Sequence, residues 1–93
     1  MQMLWWKLQR LKSKDPKIRR QMVEEMVATG QSTVLEPIAE AVRDEDPEVR
    51  MAATRALGVL QDERALAPLM TALRDRQSNI RATAAQSLLQ AVD

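Results

Sequence analysis

Between Val49 and Leu60, the apolar residues Val49, Ala52, Ala53, Ala56, Leu57 and Leu60 recur at helical spacing, while Arg50, Thr54 and Arg55 lie mostly off that stripe. Steps of three and four residues place the apolar set on one side of an α-helix, so the segment predicts a helix with one face buried and the other wet. The same pattern divides the whole chain into six helices, at roughly 2–13, 16–29, 33–43, 47–60, 64–74 and 78–92. Their connections are short enough to make successive helices antiparallel neighbours. Asp46 before Pro47 and Asp15 before Pro16 mark helix starts. An aspartate caps the free amides there, and a proline in the first turn lacks only an N–H that had no helical partner. Ser32 or Thr33 is the expected start of the third helix and Asp62 of the fifth.

The pattern also repeats. Asp15, Pro16, Lys17, Ile18 and Arg19 recur 31 positions later as Asp46, Pro47, Glu48, Val49 and Arg50, and again as Gln77, Ser78, Asn79, Ile80 and Arg81. Leu4, Leu35 and Leu66 share one register, as do Leu11, Val42 and Leu73, then Met26, Leu57 and Leu88, and Pro37 with Pro68. A gapless period of this size is the mark of a solenoid, in which each helix pair stacks on its neighbours because it cannot bury its apolar face alone. The expected organisation is a single domain over residues 1–93, with 1–14 a half repeat or N-terminal cap helix, 15–45 and 46–76 two repeats, and 77–93 a partial third. Ala85, Leu88, Leu89 and Val92 lack in this reading the following helix that covers their counterparts. The C-terminal face is therefore expected to self-associate or to receive further repeats.

Composition narrows the chemistry. Apolar residues make up 45% of the chain but are chiefly Ala, Leu, Val and Met, with two Trp and neither Phe nor Tyr, so helix formers outnumber strand formers. The chain has no cysteine and no histidine. The first absence removes disulfides, thiolate metal sites and cysteine nucleophiles, and the second removes the commonest general base and metal ligand. Glycine-rich phosphate loops are missing too, and the carboxylates Glu24, Glu25, Asp44, Glu45 and Asp46 are adjacent residues that point to different sides of a helix or lie in turns. No catalytic, cofactor-binding or metal-binding residue is assigned, and the chain is expected not to be an enzyme. Net charge is only +1, yet residues 1–20 hold Lys7, Arg10, Lys12, Lys14, Lys17, Arg19 and Arg20 against Asp15 alone. The remainder is net acidic, so the molecule is polarised end to end. Neither a signal peptide nor a membrane span is expected, and a cytoplasmic location fits that reading.

The stretch from Asp46 to Leu73, with its Asp-Pro-Glu-Val-Arg opening and its helix from Glu63 to Leu69, closely resembles the HEAT-like repeats of bacterial proteins, of the short kind found in phycobilin lyases. The resemblance covers nearly the whole chain. It implies an all-α fold, a right-handed α-α superhelix of about six helices in three incomplete repeats. It also implies a ladder between repeats in which an aspartate meets an arginine six residues later, here Asp44 with Arg50 and Asp75 with Arg81, with Ser13 and Arg19 departing from the pattern and Asp15 as a replacement for Ser13. Such a carboxylate and guanidinium would fix the register of stacked units. The iron-binding HEAT-like hydroxylases use His and Glu pairs that this chain does not contain.

In this family the second helices line the inner, concave face, and projecting the period gives three ladders there: Trp5, Glu36 and Ala67; Gln9, Glu40 and Thr71; Lys12, Arg43 and Arg74. The last is a short basic rail for an acidic peptide or phosphate backbone, unless Arg43 and Arg74 only complement the negative C-terminal ends of their helices. Glu36 and Glu40 beside it argue against nucleic acid. Met1, Leu4, Trp5, Leu8 and Leu11 form the apolar face of the first helix, which makes Trp5 the expected cap of the array. Trp6 projects among Lys7 and Arg10, where it suits a partner's pocket, an anionic membrane surface, or packing on the next helix. The expected function is a non-catalytic protein-interaction scaffold, or a fragment of a larger one, that binds a protein or peptide. The alternatives are a phycobilin-lyase-like or chaperone-like accessory factor, and a peripheral membrane module.

Overall fold

A computed structural model describes residues 2–91, with side chains from 5 to 90. The expectations for Met1, Leu4 and Val92 lie outside the described side chains. Six α-helices follow one another: α1 (Gln2–Arg10), α2 (Pro16–Ala28), α3 (Leu35–Ala41), α4 (Pro47–Leu60), α5 (Leu66–Ala72) and α6 (Ser78–Ala91). Among the described residues there is no strand. Helices α2, α4 and α6 stack as one layer, and α1, α3 and α5 pack on it, each against the first-layer helix that follows it in sequence. This is the all-α solenoid that the periodicity predicts.

The long first-layer helices start where the sequence places them. The Asp15 carboxylate accepts from the Lys17 N–H at 2.9 Å, and that of Asp46 from the Glu48 N–H at 2.8 Å. Pro16 and Pro47 open the helices that follow. The second-layer helices are shorter than predicted, because a 3-10 turn precedes two of them, Ser32–Val34 before α3 and Glu63–Ala65 before α5. Pro37 and Pro68 explain this. Each is the third residue of its helix and offers no N–H to the carbonyl four residues back, so the chain enters through i to i+3 bonds such as Val34 N–H to the Gln31 carbonyl. Asp62 does cap its turn, accepting from the Arg64 N–H at 2.9 Å. Neither Ser32 nor Thr33 is a cap, since Gln31 takes that position with no side-chain bond.

Met26, Leu35, Ile38, Leu57, Leu69 and Ile80 are fully buried and form the spine of one continuous core. Leu57 stands at its middle, on α4. There α4 and α6 approach so closely at Gly58 that a Cβ on that residue would lie 2.9 Å from the Ser87 Cβ. Residues larger than glycine would push the two helices apart.

Candidate protein-binding surface

A pair of buried arginines sets how one unit sits on the next. Arg19 on α2 grips Asp44 with two bonds, Nε to Oδ2 at 2.9 Å and Nη2 to Oδ1 at 3.0 Å. Arg50 on α4 grips Asp75 in the same way at 2.8 and 3.3 Å. Each guanidinium also turns its Nη1 toward the preceding turn. Arg19 donates to the Ser13 carbonyl at 2.7 Å and Arg50 to the Asp44 carbonyl at 3.0 Å. The sequence expectation that paired the carboxylates of Asp44 with Arg50 and of Asp75 with Arg81 is thus corrected: each carboxylate belongs to the arginine of the unit before it, while Arg50 reaches Asp44, and Arg81 reaches Asp75, only at the main-chain carbonyl. Ser13 loses nothing in this arrangement, because Arg19 uses its carbonyl, and its hydroxyl accepts from the Asp15 N–H at 3.1 Å as Asp44 does from the Asp46 N–H. Asp15 does not stand in for it; its carboxylate caps α2.

The Arg19–Asp44 contact raises the Arg19 pKa above its ordinary value, chiefly through the hydrogen bonds that Arg19 donates to the Asp44 carboxylate, against a smaller cost of burial. For Asp75, burial pushes the carboxyl up, but the bonds from Arg50 and the Gln77 N–H and the charges of Arg50 and Arg76 together hold it below the usual range. These rungs are structural. They lock the spacing at which α1, α3 and α5 stand side by side.

That spacing opens grooves between the second-layer helices. One, of about 430 Å³, runs between α1 and α3 and is lined by Leu8, Gln9, Lys12, Glu36, Glu40 and neighbours. The next, of about 390 Å³, runs between α3 and α5 over Glu36, Ala39, Glu40, Arg43, Arg64, Ala67, Pro68 and Thr71. Glu36 and Glu40 line both, as a ridge between them. A third recess brings Arg43, Thr71 and Arg74 together. The structure therefore gathers Gln9, Lys12, Glu36, Glu40, Arg43, Thr71 and Arg74 on one face. Glu36, Glu40, Arg43 and Arg74 are exposed, and none has an ion-pair partner within 4.0 Å among the described residues. No aromatic side chain lines these grooves.

A family model for HEAT repeats matches residues 6–89. The chain belongs to the HEAT-repeat family. A comparison with curated proteins finds no match. HEAT repeats generally mediate protein–protein contact and are typically non-catalytic scaffolds. Among the described residues of this HEAT-repeat chain, no cluster of three or more His, Cys, Asp or Glu could hold a metal, and no helix is long and apolar enough to cross a membrane.

Trp5 departs from expectation. It is not a cap on this HEAT-repeat array, because it is 62% exposed, whereas Leu8 and Leu11 of the same apolar face pack against the core. Trp6, 55% exposed, carries the Arg10 guanidinium 4.9 Å above its ring. One helical turn separates the two, so the contact is a local cation–π pair within α1.

Proposed function

We propose that this HEAT-repeat chain is a non-catalytic scaffold that binds a protein or peptide across the α1–α3–α5 face. The observation that carries the reading is the pair of consecutive open grooves along which Glu36, Glu40 and Arg43 have no ion-pair partner among the described residues. Structural arginines and aspartates in this chain are paired and largely buried, whereas Glu36, Glu40, Arg43 and Arg74 hold their charges in solvent. An extended or helical segment with acidic groups toward Arg43 and Arg74 and basic groups toward Glu36 and Glu40 fits that pattern. Complementary charge of this kind governs association rate and partner choice more than affinity.

The test is Arg43→Glu with Arg74→Glu, assayed against a partner recovered with the unaltered chain. Association is expected to slow at least tenfold at low salt, with helicity and melting unchanged because both side chains are exposed. A partner bound equally well by the double variant would remove the basic rail from the site. A second reading rests on the two exposed tryptophans beside Lys7 and Arg10, which suit an anionic membrane surface. In that case Trp6→Ala with Lys7→Glu abolishes sedimentation with anionic vesicles, and the rail variant leaves it intact.

A further inference from the structure

The α2–α4–α6 layer has an outer face of its own, which carries a recess of about 400 Å³ running from α2 over α4 to α6. Met51, Ala52 and Ile80 form its floor, and Arg20, Glu24, Glu48 and Arg55 its charged rim. Ala52 and Ile80 are buried and Met51 is half-buried, whereas Glu24, Glu48 and Arg55 are exposed. This face is a side of the stack and not an end. Units of a solenoid contact only their neighbours along the stack, so repeats added at either end would leave it open.

Arg20 marks the recess as more than packing. Its Nε is closed off from solvent and meets no acceptor among the described residues, and no carboxylate there lies within 4.0 Å of its guanidinium. An unmet buried donor costs stability. The fold does not require this one, because the period-mates of Arg20 are Met51 and Ala82, whose side chains have no donor to satisfy. The structural arginines behave in the opposite way. Arg19, Arg50 and Arg81 recur at every repeat, and each bonds the carbonyl of the turn before it. Around the recess the register is not kept, since Glu24 and Arg55 are period-mates of opposite charge. Stacking asks for repetition, so a non-repeating set of charges around an apolar floor, one of them held at a cost, points to a ligand.

The rim selects that ligand. Two arginines and two glutamates sum to no net charge, so a phosphate or acidic group would meet Glu24 and Glu48, and a basic group Arg20 and Arg55. A peptide main chain is neutral and offers both kinds of partner, carbonyls to the arginines and N–H groups to the glutamates. The floor takes an aliphatic side chain. We propose that the α2–α4–α6 face binds an extended, uncharged peptide, with one carbonyl accepting from the Arg20 Nε–H and a leucine-like side chain over Met51. This site is separate from the α1–α3–α5 grooves and does not depend on them.

The probes are blocked pentapeptides, Ser-Gln-X-Gln-Ser with leucine, glutamate or lysine at X, titrated into the isotope-labelled chain. The Arg20 Nε–Hε resonance, assigned by its loss in Arg20→Lys, is expected to shift with the leucine peptide and to saturate in the millimolar range. The glutamate and lysine peptides should bind at least fivefold more weakly. Arg20→Lys keeps the charge but removes Nε, and both it and Met51→Gln should weaken the leucine peptide at least fivefold, whereas Arg43→Glu with Arg74→Glu should leave it unchanged. Arg20→Met, which gives α2 the residue that α4 carries, is expected to raise the melting temperature while abolishing binding. Should Arg20→Lys fail to fold, Arg20→Met supplies the assignment and Met51→Gln the comparison. A resonance that no peptide moves overturns the proposal, since water alone would then serve Nε. A glutamate peptide that binds best overturns it too, as does a folded Arg20→Lys or Met51→Gln that binds as well as the unaltered chain. So does a lower melting temperature for Arg20→Met, because Arg20 would then belong to the fold.

Discussion

Asp75 shows at the residue scale how environment sets chemistry. Its burial disfavours the charged carboxylate, yet two bonds from Arg50 and one from the Gln77 N–H outweigh that cost and place its folded pKa below the ordinary 3.8. A carboxyl whose pKa falls on folding adds stability that is complete above the unfolded value and disappears as pH drops through the folded one. The protein should therefore lose stability below about pH 3.8, in the window between that value and the lowered one. Asp75→Asn is expected to cost on the order of 3 kcal/mol at pH 7, because Arg50 stays buried without a counter-charge. The difference from the unaltered protein should shrink as pH falls through the window, which urea titrations at pH 7 and pH 2.5 measure; a gap that stays constant would mean that the pair is not what sets acid stability. The residues of this ladder were legible in the sequence, but their pairing was not. An aspartate lies six positions before Arg50 and another 25 positions after it. Only the stacking of units decides which one reaches the guanidinium.

Helix ends provide a matched pair at the scale of elements. Gly30 and Gln61 are period-mates just past the ends of α2 and α4, and both have positive φ, 69° and 50°. Glycine adopts this conformation freely, whereas a side chain on Cβ is strained there by about 1 kcal/mol. A Cβ on Gly30 would find nothing within 4 Å, so Gly30→Ala isolates the backbone cost. It is expected to destabilise the protein by about 1 kcal/mol, and Gln61→Gly to stabilise it by a similar amount less the entropy that glycine adds to the unfolded chain. Chemical denaturation of both variants checks the sign, and a stabilising Gly30→Ala would contradict the αL assignment. Pattern alone placed the six helices, since amphipathic spacing, Asp-Pro starts and the period all agree. It overextended α3 and α5 because the 3-10 entry depends on which carbonyl a proline leaves unmet, a detail that hydrophobic spacing does not encode.

At the scale of the whole molecule, each helix pair touches only its neighbours, so a residue's weight depends on where in the stack it lies. Leu57 on α4 is buried at the centre, on the helix between α2 and α6, while its period-mate Leu88 is half-buried at the α6 end. Leu57→Ala should cost about 2 to 5 kcal/mol. In a domain of this size that lowers the melting temperature by roughly 10 °C or more. Leu88→Ala removes the same atoms from a site already partly in water and should cost less than half as much. The contrast follows from stacking, because the sequence gives both leucines the same register and therefore the same predicted role. Helical signal followed through thermal and urea unfolding should show one transition for each variant, displaced far more for Leu57→Ala. Equal displacement would mean that the α6 face is as well covered as the centre, and a split transition for Leu57→Ala would mean that the units flanking α4 fold independently.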